Sequence, residues 1–445
     1  MTSTHLPPAT AHDRRCCRFS SLAVLLCGAL SLSLPSGYSV GPALLLLATP
    51  LLLWYRPRLA LARDDYLIMA GLTLYTAIVI AGALWHDQAV RTLDKPLRLW
   101  LAIPVMLWLM AFPPRLAALW AGIALGGLGA GGVALGERLV TGAPRVNGFD
   151  NVIQFGNLSL LLGMFCIAGL GWATTQPHRK RWATLLIAGA LGGLLASLLS
   201  GSRGGWVGLP FMLLVLYRAW GQDLPGRTRF ATALTLVLGI GLLYSLPQTG
   251  IQQRVDTAVN DLVLYFQQDT VTSSLGFRFD MWRGATHLAL EKPLLGWGEE
   301  GYAEGMGALA EAGVIHPATA GFGHAHNQFI DTLAKQGALG LAGLLLLYGA
   351  PLVLFTRQLR ADHLPRRAIA TGGALLSVAY IDFSLSQSFL THNSGVMFFG
   401  FWVAIWWSLM YRCRPPRDTA SHAGTAARAT PAATHTGTVE HGSGG

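Results

Sequence analysis

Charge is scarce in this sequence. Only 12% of its 445 residues are Asp, Glu, Lys or Arg, whereas about 25% is usual in soluble domains. Apolar residues make up 52%, and they recur in runs of roughly 18 to 22 residues, the length that crosses a bilayer. So many runs cannot all be buried inside one globule. The composition therefore predicts an all-α polytopic membrane protein.

Cysteine is also scarce, and its positions exclude two kinds of site. The five cysteines are Cys16, Cys17, Cys27, Cys166 and Cys413. None lies within residues 247–337, the one long polar interval, so a disulfide framework is excluded there. The sequence contains no CxxC pair and no Cys/His spacing typical of a zinc site.

The apolar runs define the topology. We predict twelve membrane spans, at residues 20–34, 38–55, 66–85, 99–112, 116–136, 152–173, 183–199, 207–220, 231–246, 338–355, 368–385 and 394–411. With the N-terminus inside, the connections richest in Arg and Lys fall on the cytoplasmic side, as the positive-inside rule requires. This explains most of the net charge of +10, so no nucleic-acid partner is expected.

The same topology divides the chain into five parts. Residues 1–19 form a cytoplasmic N-terminus, and residues 20–246 hold the first nine spans. Residues 247–337 form a loop domain on the outer, periplasmic face, and residues 338–411 hold the last three spans. Residues 412–445 are rich in Ala, Thr and Gly, which predicts a disordered cytoplasmic tail.

Some basic residues run against the topological bias. Eleven of the 32 Lys and Arg residues fall on the outer side: Arg91, Lys95, Arg98, Arg138, Arg145, Arg203, Arg254, Arg278, Arg283, Lys292 and Lys335. Arg203 is the sharpest case, because it lies between two apolar runs within SGSRGGW, whose Gly and Ser residues leave room for a ligand. A guanidinium binds two phosphate oxygens at once. Alternatively, Arg203 has a structural role, in which its side chain extends to the membrane–water interface or pairs with an acidic loop residue.

The end of the polar interval, GHAHNQFIDTLAKQGALG, carries the candidate base. Apolar residues recur there at helical spacing, with Asn327 as the N-cap and Gly337 as the C-terminal stop. His326 then lies at the start of a helix, where the helix dipole and nearby arginines keep its ring neutral and able to accept a proton. Two alternatives remain open. His326 is a structural histidine, or it binds a metal together with His324 and either His316 or His287.

Four motifs in order resemble the O-antigen ligase/polymerase superfamily. They are SRGGW after an apolar run, GFRFDMWRGA, PLLGWGEEGY and HAHNQFIDTLAKQGALGL, and the resemblance covers about residues 195–347. It implies a GT-C-like, metal-independent glycosyltransferase without a cofactor, whose donor is a glycan linked to a polyprenyl diphosphate. By motif, Arg203 and Arg278 would bind the diphosphate and His326 would be the base. Arg145 resembles a less constrained basic position that would also bind the diphosphate, and His324 and Asn327 would support His326.

The superfamily includes ligases that act on lipid A–core, glycan polymerases and oligosaccharyltransferases that act on protein hydroxyls. One large outer loop late in the chain favours the ligase, because polymerases more often carry two comparable loops. We therefore expect an inner-membrane, multi-pass ligase of bacteria that uses undecaprenyl-diphosphate-linked glycan and has a periplasmic active site. A transporter is disfavoured, because the charges lie at the span ends and no repeat is evident.

Overall fold

The computed structural model describes residues 11–202, 204–245, 271 and 273–414, with isolated positions between 252 and 267. Within these ranges the regular structure is helical. The helices are α1 (Ala11–Ala29), α2 (Val40–Ala48), α3 (Leu51–Tyr55), α4 (Arg63–Trp85), α5 (Asp94–Ala111), α6 (Leu116–Thr141), α7 (Val152–Ala173), α8 (Arg179–Ser200), α9 (Gly204–Val207), α10 (Leu209–Ala219), α11 (Gly226–Ser245), α12 (Ser274–Glu291), α13 (Gly298–Glu311), α14 (Pro317–Ala320), α15 (Gln328–Thr356), α16 (Leu364–Ser386) and α17 (Asn393–Arg412).

Eight helical segments among the described residues are long and apolar enough to cross a membrane. They are Gly37–Tyr55, Arg63–Trp85, Leu116–Thr141, Val152–Ala173, Arg179–Ser200, Gln328–Thr356, Leu364–Ser386 and Asn393–Arg412. The prediction of a polytopic helical membrane protein is therefore confirmed, but eight segments are fewer than the twelve spans predicted.

The other four predicted spans fall on α1, α5, α10 and α11. All four of these helices carry charge, and two of them carry both signs. Helix α1 has Asp13 and three arginines in its first half, and α5 begins with Asp94, Lys95 and Arg98. The predicted span at 207–220 is interrupted, because α10 has only 11 residues.

Glycine allows the central helices to approach closely. A methyl group on Gly127 of α6 would overlap the backbone of Gly189 in α8, and one on Gly122 would overlap the backbone of Leu25 in α1. The Gly-rich run in this part of the sequence predicts such packing, because small residues let membrane helices meet backbone to backbone.

The two ends of α17 mark the two ends of the bundle. At the C-terminal end, the Tyr411 hydroxyl accepts a hydrogen bond from Ala60 N at 3.0 Å, within an arginine-rich connection. At the N-terminal end, Asn393 accepts from Arg98 of α5 at 3.0 Å. The predicted site residues within the described ranges belong to this second end.

Helices α12 and α13, the loop residues Ile315 and Ala325, and the first turns of α15 share an apolar core. Its buried members are Ala285, Leu288, Ala289, Tyr302, Met306, Ile315, Ala325 and Ala334. The described part of the long polar interval thus folds around side chains of its own. Most of residues 246–272 lie outside the described ranges.

Gly337 joins this region to the bundle. The predicted helix stop is a kink, because α15 continues through Gly337 to Thr356 although Gly337 has φ 65° and ψ −165°. Only glycine adopts that conformation readily. A side chain at Gly337 would also overlap the carbonyl of Leu294. The kink therefore sets the direction of the loop helix relative to the following span.

Candidate active site

The loop before α15 is held by hydrogen bonds at both ends. Asn327 Oδ1 accepts from Phe329 N at 3.0 Å and from Ile330 N at 3.2 Å, which confirms the predicted N-cap. Asp331 Oδ1 accepts from Ala325 N at 2.9 Å, and Trp282 Nε1 donates to Ala325 O at 2.9 Å. Ala325, the residue between the two histidines of the HAH motif, is therefore held at both its backbone N–H and its carbonyl oxygen.

A buried lysine ties this loop to a second motif. Lys335 is only 3% exposed, and its Nζ donates to Gly323 O at 2.8 Å and to Glu299 Oε2 at 2.7 Å. It also lies 3.4 Å from Asp331 Oδ1. Because Glu299 belongs to the WGEEGY motif, Lys335 connects two motifs that the sequence analysis treated separately. The four-residue spacing of Asp331 and Lys335 on one helix was the signal that could have indicated part of this network.

His326 has an unusual backbone and an unpaired ring nitrogen. Its φ is 49°, a left-handed conformation uncommon for residues other than glycine. Its N–H donates to His324 Nδ1 at 3.3 Å, and the two ring centroids lie 4.2 Å apart. Its Nδ1 is buried with no hydrogen-bond partner among the described residues. An orphaned buried nitrogen on a strained residue is typical of a site that receives a ligand.

Both histidines are neutral at physiological pH. Burial lowers the pKa of His326 to about 4, with further lowering by His324 and the Arg278 charge, while Gln387 opposes the shift. Burial also lowers the pKa of His324 to about 4, and Lys335 adds to that effect. The predicted neutral state of His326 is confirmed, although the main cause is burial rather than the helix dipole.

Arg278 comes to His326 from α12. Burial lowers its pKa, and among the described residues no carboxylate pairs with its guanidinium. Phe277 and Phe322 connect the two elements, since their ring centroids lie 5.9 Å apart and Phe322 lies 6.1 Å from the His326 ring. The structure thus brings Arg278 and His326 together.

Arg203 itself lies outside the described residues, but its flanks are defined. Asn157 Oδ1 accepts from Ser202 Oγ at 3.0 Å and from Gly205 N at 3.1 Å, so Asn157 bridges the turn. A methyl group on Gly204 would overlap Ser386, the residue before Gln387. The residues on either side of Arg203 therefore lie near Gln387, the side chain that opposes the lowering of the His326 pKa.

Arg145 packs against the same turn. Its Nε donates to Ser200 O at 3.2 Å, and a terminal nitrogen lies 3.5 Å from Gly201 O. The sequence pattern favoured Arg203 over Arg145 as a ligand of the diphosphate. The structure shows that Arg145 supports the segment leading to Arg203.

A cavity of about 530 Å³ opens beside His324. We call it the His324 cavity. Its polar lining includes His324, His392, Arg91, Lys95, Glu299 and Lys335, and its apolar lining includes Tyr75, Leu99 and Val396. His326 is not among the lining residues. The sequence resemblance assigned the base to His326 and a supporting role to His324, but it did not indicate that His324 rather than His326 lines a cavity.

Metal binding was one alternative for the histidines. In the part of the chain that the structure describes, no three His, Cys, Asp or Glu side chains are grouped so that they could hold a metal ion. His316 instead caps α14, since its Nδ1 accepts from Ala318 N at 3.1 Å. His287 is exposed on α12.

Comparison with known proteins gives two matches. Residues 188–345 match the family model described as O-Antigen ligase. This range includes Arg203, Arg278, His324, His326 and Asn327, but not Arg145. The chain is also 29% identical over 374 residues to an uncharacterized protein of Haemophilus influenzae. This match covers 83% of this chain and 92% of that protein.

Proposed function

We propose that this chain, which belongs to the O-antigen ligase superfamily, transfers a glycan from undecaprenyl diphosphate to a sugar hydroxyl of lipid A–core. Members of the family are glycosyltransferase-like enzymes. The observation that carries the proposal is the buried, neutral ring of His326, whose Nδ1 has no hydrogen-bond partner among the described residues. It lies beside Arg278, with which no described carboxylate pairs. A base and a phosphate ligand side by side are the two groups that this transfer requires.

His326 acts as the general base. A pKa of about 4 leaves the imidazole free to accept a proton at neutral pH. Such a ring is a weak base, so proton transfer accompanies the attack of the acceptor oxygen on the anomeric carbon. The hydroxyl becomes acidic as that bond forms, and the proton then passes to His326. Direct displacement of the diphosphate inverts the anomeric configuration.

Arg203 and Arg278 bind the diphosphate, and Arg145 holds the turn that carries Arg203. Diphosphate is a good leaving group, and guanidinium groups stabilise the charge that develops as its bond to the sugar breaks. His324 and Asn327 support the base through the loop contacts described above. No cofactor and no metal are required for these steps.

The proposed topology has twelve spans, including α1, α5, the α9–α10 pair and α11, with both termini in the cytoplasm. It is supported by the distribution of arginine-rich connections. The site then faces the periplasm from the bacterial inner membrane, and residues 247–337 form the periplasmic domain of a GT-C-like enzyme.

Product analysis tests the proposal. Purified protein in vesicles receives undecaprenyl-diphosphate-linked O-antigen and lipid A–core, and a laddered lipopolysaccharide is the expected product. Longer glycan on the lipid carrier would instead indicate a polymerase, and glycan on protein hydroxyls would indicate an oligosaccharyltransferase.

The same assay tests metal independence. We expect turnover to survive EDTA, because arginines rather than a metal ion stabilise the leaving group. Loss of turnover that added Mg²⁺ or Mn²⁺ restores would contradict the mechanism.

A further inference from the structure

The His324 cavity is lined neither by His326 nor by Arg278, the described residue that we propose binds the diphosphate. His324 lines the cavity and His326 does not, while Arg278 is close enough to lower the pKa of His326. The two rings are 4.2 Å apart. A second substrate in the cavity would therefore meet the first one at this pair of histidines, as a transfer between two bound molecules requires.

Charge in the cavity is unevenly compensated. Its two carboxylates, Glu299 and Asp331, both contact the buried Lys335. Arg91 and Lys95 also line the cavity, and neither side chain has an ion pair or hydrogen bond to any described residue. The cavity thus offers two uncommitted cations, and a phosphate or carboxylate is the complementary ligand.

The remaining lining suits a sugar attached to a lipid. His324 and His392 are neutral hydrogen-bonding groups, with burial lowering the pKa of His392. Tyr75, Leu99 and Val396 come from α4, α5 and α17, which are bundle helices, so one wall is apolar. The volume of about 530 Å³ lies within the range typical of small-ligand sites.

We propose that the His324 cavity is the acceptor site and that Arg91 and Lys95 bind a phosphate group of the acceptor glycan. The assignment rests on the proposed function, because it takes Arg278, near His326, to hold the donor. It adds a requirement that the transfer itself does not impose. The acceptor must carry negative charge near the hydroxyl that reacts.

The test compares two acceptors. Glycan transfer is measured with lipid A–core that retains its phosphates and with the same material after enzymatic dephosphorylation, at saturating donor. The variants are Arg91→Ala and Lys95→Gln, and the control is Arg283→Ala, an exposed arginine of α12 that does not line the cavity. Gel filtration and thermal unfolding of each purified variant establish that it is folded.

We expect each cavity variant to raise KM for the phosphorylated acceptor by about 10-fold, the loss of one charge-assisted hydrogen bond. KM for the dephosphorylated acceptor and for the donor should stay unchanged, and Lys95→Arg should retain most of the affinity. An equal rise with both acceptors, or no rise with either, would overturn the proposal. A rise in the donor KM instead would assign these cations to the diphosphate and also overturn it.

A binding measurement separates this proposal from the proposed function. Lipid A–core that retains its phosphates and its dephosphorylated form are titrated into protein in nanodiscs, with no donor present. Tighter binding of the phosphorylated probe, lost in Arg91→Ala and Lys95→Gln, would support the anionic site even if no ligase product forms. Equal binding of the two probes would refute the site even if the protein proves to be a ligase.

Discussion

At the scale of single residues, His326 concentrates the features expected of a reacting group. Its left-handed backbone and buried, unpartnered Nδ1 both raise the free energy of the folded state. Costs of this kind are of order 1–3 kcal/mol each and persist where surrounding contacts fix the residue. Here Asn327, Asp331 and Lys335 supply those contacts. The loop is therefore organised to present His326 rather than to relax it.

The lowered pKa of His326 predicts an unusual pH profile. Because burial lowers this pKa to about 4, kcat/KM should stay level from neutral pH down to about pH 5 and fall as pH passes through 4. A solvent-exposed histidine would lose half of the activity near pH 6.5. The profile of kcat/KM reports the free enzyme, so it is the quantity to measure.

Arg278→Gln gives the matching perturbation. Removing this positive charge raises the pKa of His326, so the acid limb should move to higher pH in addition to any loss of activity. Arg283→Gln, on the exposed side of the same helix, should leave the limb in place. An acid limb that does not move in Arg278→Gln would show that His326 is not the titrating base.

At the scale of helices and loops, Gly337 couples the site to the membrane bundle. Gly337→Ala should lower the unfolding temperature and the transfer rate, because φ 65° with ψ −165° is strained for alanine by roughly 1–3 kcal/mol and the methyl group overlaps Leu294. Gly349→Ala in the same helix meets no atom within 4 Å, so it should be neutral or slightly stabilising. Equal effects of the two substitutions in thermal unfolding would contradict this role for Gly337.

Local patterns predicted much of this architecture. The span at 152–173 coincides with α7, and Asn327 caps α15 as its position before an apolar-periodic segment indicates. These features depend on residues close in sequence. The Lys335–Glu299 link joins residues 36 positions apart, and the division between His326 and the His324 cavity depends on one φ angle. No periodicity carries that information.

The number of membrane spans was also hard to predict from the sequence, for a physical reason. Apolar length alone predicted spans at 20–34 and 99–112, whereas α1 and α5 extend beyond these runs into charged residues. A helix of mixed composition is stabilised by burial against its neighbours as well as by lipid. Trp108 of α5, for example, is buried and donates to Ser20 of α1 at 2.9 Å.

At the scale of the whole molecule, charge is sorted between the two ends of the bundle. The predicted cytoplasmic connections include residues 56–63 and 357–367, and Arg367 in the second pairs with Asp223. The site end carries Arg98 and Arg145, which donate hydrogen bonds to Asn393 and Ser200, and Arg278, the proposed diphosphate ligand. This asymmetry predicts which face of the membrane each end meets.

Cysteine labelling tests that orientation. Glu311→Cys and Asp362→Cys are exposed positions at the two ends. The cells have a permeabilised outer membrane and an intact inner membrane. An impermeant maleimide should then label Glu311→Cys at once, and Asp362→Cys only after the inner membrane is disrupted. The unmodified chain, with its five native cysteines, gives the background. The reverse order of labelling would place the site in the cytoplasm and contradict the proposed function.

The central claim is that His326 takes the proton of the acceptor hydroxyl, and single-turnover glycan transfer by His326→Ala tests it most directly. The matched control is His287→Ala, an exposed histidine of α12, and both variants are checked for folding and donor binding. We predict that His326→Ala lowers the transfer rate by about 10²–10⁴-fold, as for other general bases, with donor affinity retained. A folded His326→Ala that transfers glycan as fast as His287→Ala would show that another group is the base.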